Sequence, residues 1–362
     1  MKPEVFGGRS VEFRDTPRGL TLFHVTFHRT LRLPEDGRTH QLPPSLGEFP
    51  LRKIQDYREK VPPVWREHGG LFLPMWQREA MWLSFGAPSN RPIALKVAAG
   101  KVNAVSGEPW SETLSPPTTK AGAPRQDYLV CPPQPWLDGF NSGEGKIRQF
   151  VAMPLGGGYT AEAQATGKED VGGLQLLVVR TKPTWKPPAP PPHPRGPLRG
   201  SSSGWGTGWK GGQTFGVATS GAAGVSDFFG ADYTLDSYVG ANASDSMDPT
   251  LYRSKGAEMG LAQGGEMVQK IYPDPYGLDA WDEKEAGRLF VHIVNSKLWT
   301  EITGEPPPPS PITAETYRHY GHPWTTLWDS EMGDVPAAPS LSAMKTVSQV
   351  DASKGVKEGS EW

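Results

Sequence analysis

Few residues in this chain have the type and spacing to do chemistry, and they fall into small groups. His24 and His28 stand four apart in LFHVTFHRT, the separation at which two imidazoles on one helical face hold zinc. The surrounding residues alternate apolar and polar, however, which makes the segment a strand. Four strand residues span about 13 Å at about 3.3 Å each, too far for two ligands of one ion. Val25 also stands where the glutamate of a zincin motif belongs. The two histidines are therefore expected on the wet face of a strand.

Gly156-Gly157-Gly158-Tyr159-Thr160-Ala161 has the outline of a GxGxxA dinucleotide loop. No acid follows about twenty residues on, and no βαβ alternation surrounds the loop. Thr166-Gly167-Lys168 runs into Glu169 where a P-loop needs Ser or Thr. A glycine turn is expected, with an anion nest at the start of a short helix at Thr160 as the remaining option. Asp274, Asp279, Asp282 and Glu283 cluster in DPYGLDAWDE. They offer hard oxygen ligands, but their spacing matches no calcium loop, and an acidic turn is expected. The single Cys131 ends the apolar run Tyr128-Leu129-Val130. One cysteine excludes an internal disulfide and any site of several thiolates. With no cation within four positions, nothing local favours the thiolate. No nucleophile elbow is present, and no cofactor or metal is expected.

The elements that must carry these residues are mostly strands. Hydrophobic residues make up 36%, while glycines number 43 and prolines 38, a composition of many short strands and turns. Leu20–Leu33 is the clearest, with Phe23, Val25, Phe27, Leu31 and Leu33 on one face and His24, Thr26, His28, Thr30 and Arg32 on the other. Glu79–Phe85 and Pro92–Ala98 flank a turn at Pro88-Ser89-Asn90 and are expected to pair as a hairpin. Val102–Val105, Gln126–Cys131, Lys146–Met153, Leu174–Arg180, Glu266–Tyr272 and Arg288–Asn295 complete the set. Two short helices are expected, at Thr160–Ala165, capped by Thr160 and stopped by Gly167, and at Thr313–Tyr320. An internal echo links Gly145–Gly156 to Gly265–Gly277. Each has a glycine, a strand with a central glutamine (Gln149 or Gln269) and a Pro-x-Gly turn.

Residues 183–221 interrupt this pattern with eight prolines and nine glycines, including KPPAPPPHP and SSSGWGTGWKGG. Neither half can form a regular ladder or helix. Between Lys182 and Lys210 there are five basic residues and no acid, and between Gly211 and Tyr252 five aspartates and no base. Trp205 and Trp209 are two of the large rings of this arm. Four extended residues apart, they lie on one side, about 13 Å from each other, and could enter one groove of a partner. Of thirteen tryptophans, most are expected in the core and one or two as anchors.

Longer phrases stand out as well: Pro74-Met75-Trp76-Gln77-Arg78-Glu79-Ala80-Met81-Trp82, Gln134-Pro135-Trp136-Leu137-Asp138-Gly139, and Arg148-Gln149-Phe150-Val151-Ala152-Met153-Pro154-Leu155-Gly156. With Gln269–Pro275 and Phe290–Ser296 they resemble a family of uncharacterised bacterial and fungal proteins. That resemblance implies no reaction, cofactor or site residue.

The expected fold is mainly β, sandwich-like, with short helices and a long Pro/Gly-rich irregular arm. Residues 1–182 form an N-terminal β-rich part, 183–265 the arm, 266–336 a C-terminal β-rich part sharing the core, and 337–362 a polar tail. The net charge of −2 gives no general attraction to nucleic acid, and no apolar run approaches the roughly twenty residues of a membrane span. A soluble, cytoplasmic, non-enzymatic protein is expected, one that forms homo-oligomers through the arm. The alternative is a carbohydrate-binding or glycan-processing sandwich that uses exposed tryptophans.

Overall fold

Alternation, not propensity for any one turn, shapes the first long strand. Phe23, Val25 and Phe27 are fully buried while His24 is exposed, so one face of the segment closes on a core. A computed structural model describes residues 1–15, 19–115, 126–186, 257–311 and 333–356. Within these, seventeen strands join in one hydrogen-bonded network. They are β1 (Lys2–Phe6), β2 (Ser10–Arg14), β3 (Thr21–Thr30), β4 (Thr39–His40), β5 (Ser45–Glu48), β6 (Arg52–Lys53), β7 (Leu71–Met75), β8 (Ala80–Gly86) and β9 (Ile93–Ala99). There follow β10 (Val102–Asn103), β11 (Leu129–Cys131), β12 (Trp136–Leu137), β13 (Gly139–Gly143), β14 (Lys146–Pro154), β15 (Leu174–Arg180), β16 (Glu258–Val268) and β17 (Gly287–Asn295).

The fold is mainly β, with two layers. One runs β1–β2–β3–β8–β14–β16, antiparallel throughout. The other runs β9–β15–β17–β7–β6, where only β17 and β7 are parallel. The layers join through a short contact of β16 with β17, Glu258 opposite Val294 and Met259 opposite Ile293. Their inner faces meet in one cluster that holds Phe27, Leu83, Phe150 and Leu261 from the first layer and Val97, Leu176, Val291 and Leu73 from the second. Outer faces are covered too. Trp65 and Trp299 lie over Phe72 and Val294, Tyr128 and Trp281 over Val130 and Leu177, and Tyr159 and Val350 over Val151 and Ala262. No helix of the described residues is long and apolar enough to cross a membrane.

Several expectations are corrected. Glu79–Phe85 and Pro92–Ala98 are strands but not a hairpin. β8 pairs with β3, β12 and β14, whereas β9 pairs with β15, β11 and β10. Their apolar faces oppose each other across the sandwich, so the turn between them changes layers. β16 begins at Glu258, inside the stretch expected to be arm. Its glycines are where neighbours leave no space: a Cβ on Gly264 would lie 2.5 Å from Val151 Cγ2, and one on Gly265 2.6 Å from the Pro34 carbonyl oxygen. Close packing, not a turn, put them there. Past Ala337, helices at Pro339–Ser342 and Val347–Lys354 replace the expected tail. A capping box of Thr346 and Gln349 starts the second, and Arg78 grips its Asp351 through two bonds of 2.8 and 2.9 Å. Trp205, Trp209, most of the arm and the helix expected at Thr313–Tyr320 lie outside the described residues.

The echoed segments pair with each other, Lys146 opposite Val268 and Arg148 opposite Glu266. Beyond Val268 the second one leaves the ladder, and glutamine side chains take over its hydrogen bonds. Gln126 donates to the carbonyls of Tyr128 and Tyr272 and accepts from the Asp274 amide. Gln134 repeats this eight residues on, donating to Trp136 and Lys270 and accepting from Tyr272. Gln269 exchanges two bonds with Asp138.

Because β15 and β7 both depend on β17 for a neighbour, residues 1–186 expressed alone should show no cooperative unfolding. Near-UV circular dichroism during a thermal ramp checks this; a native-like spectrum with a sharp transition would contradict the shared core.

Candidate functional site

His28 sits midway along β3, and cross-strand register sets its neighbours. Its Nε2 lies 2.8 Å from Ser84 Oγ on β8 and its Nδ1 3.2 Å from Ser45 Oγ on β5, while the Trp82 ring stacks on it at 4.0 Å. A serine hydroxyl on an imidazole is the bond used in acyl transfer. Two facts weaken it as a catalyst. The far nitrogen meets a hydroxyl instead of a carboxylate, so no negative charge supports an imidazolium. Burial also pushes the His28 pKa down to about 4, which makes a poor base at neutral pH. The bonds tie three strands together. His24 lies four residues away across Gly86, where a Cβ would come 1.9 Å from its ring.

The glycine loop forms a nest, and the protein fills it. Glu169 accepts from the amides of Gly156 and Gly158 and from the Thr160 hydroxyl. The residue that spoils the P-loop pattern thus occupies the donors a phosphate would need. Thr160 also caps the helix Ala161–Thr166 through the Ala163 amide, and Gly167 ends it in the left-handed conformation, as the sequence indicates.

The acidic cluster disperses. Asp274 is buried and accepts from the Tyr128 hydroxyl at 2.6 Å, the Trp281 indole at 3.0 Å and the Tyr276 amide at 2.8 Å. Asp282 lies 3.6 Å from Arg180, Glu283 accepts from the Leu114 amide, and Asp279 is exposed. Among the described residues no three His, Cys, Asp or Glu side chains gather as a metal site.

Sequence reasoning missed the buried ion pairs, whose partners are far apart in the chain. Lys96 is fully buried on β9, 2.6 Å from Asp127, and also donates to Ser111 and the Thr113 carbonyl. Arg29 meets Glu79 at 2.6 Å and reaches the Pro309 carbonyl, while Trp76 donates to the carbonyl of Pro308. A proline run, Pro306–Pro309, is thereby strapped over the end of the sandwich. The local signal for the glutamine clamps was a Gln two residues before an aromatic, at Gln126–Tyr128 and Gln134–Trp136.

No protein-family model, no curated protein and no solved structure matches this chain.

Two outcomes follow from burial. Desolvation raises the Asp138 pKa to about 7 from an ordinary 3.8, partly offset by its bond from Gln269. The folded state therefore holds this proton more tightly than the unfolded one, and stability falls as pH rises from about 4 to about 7. Melting curves between pH 5 and pH 8 should show Asp138→Asn flattening this dependence; an unchanged slope would place the titration elsewhere. Cys131 is 1% exposed, and burial pushes its thiol pKa up. It should resist a maleimide until denaturant is added, with labelling followed by mass spectrometry.

Proposed function

We propose that this is a non-enzymatic structural or interaction protein that self-associates through its arm, with Trp205 and Trp209 as the anchoring rings. The observation that carries this reading is how the arm is held at both ends. At its start, the Lys182 amide donates to the Ala280 carbonyl at 2.8 Å, and the Trp185 ring packs edge-on against Tyr276 at 5.3 Å. At its return, Ala257 is fully buried beside Trp299 and Val294, and its carbonyl accepts from the Asn295 amide at 2.9 Å. These footings belong to different apolar clusters on the same β17-centred layer. A segment fixed at both ends surrenders less freedom on docking than a free tail. Its basic first part and acidic second part are complementary between copies.

The described tryptophans fit the same reading. Trp65, Trp281 and Trp299 are buried, and Trp76, Trp82, Trp110, Trp136 and Trp185 are half-buried. Each already packs inside its own chain, so the alternative of a glycan platform gains no exposed ring from them.

Burying one tryptophan contributes about 2–3 kcal/mol at about 25 cal/mol per Å², so losing both should weaken association by about a thousandfold or more. Sedimentation velocity of the full chain, beside a Trp205→Ser/Trp209→Ser variant, tests this. The variant should sediment as a smaller species without a change in far-UV dichroism, and salt should shift the wild type the same way. Identical profiles, or a wild type that stays monomeric at every concentration, would refute the proposal.

A further inference from the structure

Between β1 and the turn before β7 lies a cleft of about 330 Å³, within the usual range of small-ligand sites, roughly 300–1,000 Å³. Its floor is apolar, from Val5, Leu71 and Leu289. Three cations line it from three successive elements: Lys53 from β6, Arg58 from the 3₁₀ segment Ile54–Lys60, and Arg66 from the helix Pro63–His68. None of the three has an ion pair with a described residue. One carboxylate, Glu4, shares the lining, and it lies 3.8 Å from Arg14. Three cations against one carboxylate in the lining favour an anion over a cation beside this low-dielectric floor. Solvation at the ends of two short helical segments explains Arg58 and Arg66 individually; it does not explain why Lys53 turns to the same cleft.

The remaining wall is backbone, and it is fixed. Gly69 and Gly70 both have positive φ, of 64° and 86°. A Cβ on Gly70 would stand 2.3 Å from the Phe290 carbonyl oxygen, so the chain passes here too closely for a side chain. The Gly69 carbonyl accepts from His292 Nε2 at 3.1 Å, and the Gly70 carbonyl from the Ile54 amide at 3.1 Å. Burial lowers the His292 pKa to about 3, which keeps that imidazole neutral and stacked at 4.8 Å on Trp65. Both carbonyl oxygens are thus turned into protein bonds, which reduces the repulsion an incoming anion would feel.

We infer that this cleft binds a small amphipathic anion, a carboxylate or phosphate monoester on a short apolar body. Arg58, Arg66 and Lys53 hold the head group, and the Val5–Leu71–Leu289 floor takes the body.

Isothermal titration calorimetry of the full chain at low ionic strength tests this with octanoate, n-octyl phosphate, inorganic phosphate and n-octanol. Either or both of the first two should bind, and the tighter of them identifies the head group. Inorganic phosphate should bind more weakly, and octanol should give no saturable heat. Arg58→Gln/Arg66→Gln should weaken binding by about tenfold or more, as expected when charged hydrogen bonds are lost, with an unchanged melting midpoint. Lys53→Gln, at an exposed position, gives an independent check in the same direction. The inference falls if neither amphiphile binds, if inorganic phosphate or octanol binds as tightly, or if the substituted proteins bind like the wild type.

Discussion

Side-chain amides standing in for a missing strand are the constraint on which the rest of the sandwich depends. The segment after β16 carries prolines at 273 and 275, and the segment it runs beside carries them at 132, 133 and 135. Prolines supply no amide hydrogen, so two such segments cannot form a ladder. Gln126 and Gln134 each supply a donor and an acceptor at the spacing the backbone of residues 270–274 requires. A net hydrogen bond is worth only about 1 kcal/mol, but a buried backbone group left unpaired costs about 1–3 kcal/mol. The clamps matter chiefly for preventing that loss. They also hold Asp274 beneath Tyr128 and Trp281, which fixes the outer cluster where the arm begins.

The same economy of polar groups runs through the molecule and bears on function. A glycine nest is filled by Glu169, an imidazole is held between two hydroxyls, and an aspartate that could have faced a cation accepts three protein donors. In each case a group with chemical potential has its bonding capacity met by its own chain. The cleft differs, for there three cations face a single acid.

Much of the fold was legible because burial leaves a period in the residues. Phe23, Val25 and Phe27 against His24 and His28 announced β3, and Thr160 with Gly167 bounded a helix to within a residue. What escaped had physical reasons. β16 was hidden because close approach demanded glycine, which from sequence alone looks like disorder. The helices near the C-terminal end bury too few apolar residues to show a period; Val347 and Val350 are the apolar pair of the longer one. The layer change between β8 and β9 was invisible because a hairpin and a crossover can share the same turn residues. The clamps join residues as far apart as Gln126 and Asp274; the Gln-x-aromatic spacing marks one side of each clamp, but no local pattern names the distant partner. Candidate chemistry followed the same division: the acidic cluster and the glycine loop were visible as motifs, but their spacing did not show that Glu169 fills the loop or that the distant Tyr128 donates to Asp274.

The parallel register of β7 with β17, Leu71 opposite Val291, has a consequence for synthesis. A ribosome releases β7 and β15 long before their common neighbour exists, since the whole arm must be translated in between. At about 5–20 residues per second, the delay is on the order of ten seconds. Throughout it, two apolar strands offer open hydrogen-bonding edges to any other nascent chain. The charged, proline-rich sequence that emerges next is poor material for adding a strand to those edges. The prolines of residues 183–197 withhold the amides a ladder needs, so the stretch that follows β15 competes poorly for the place β17 will take.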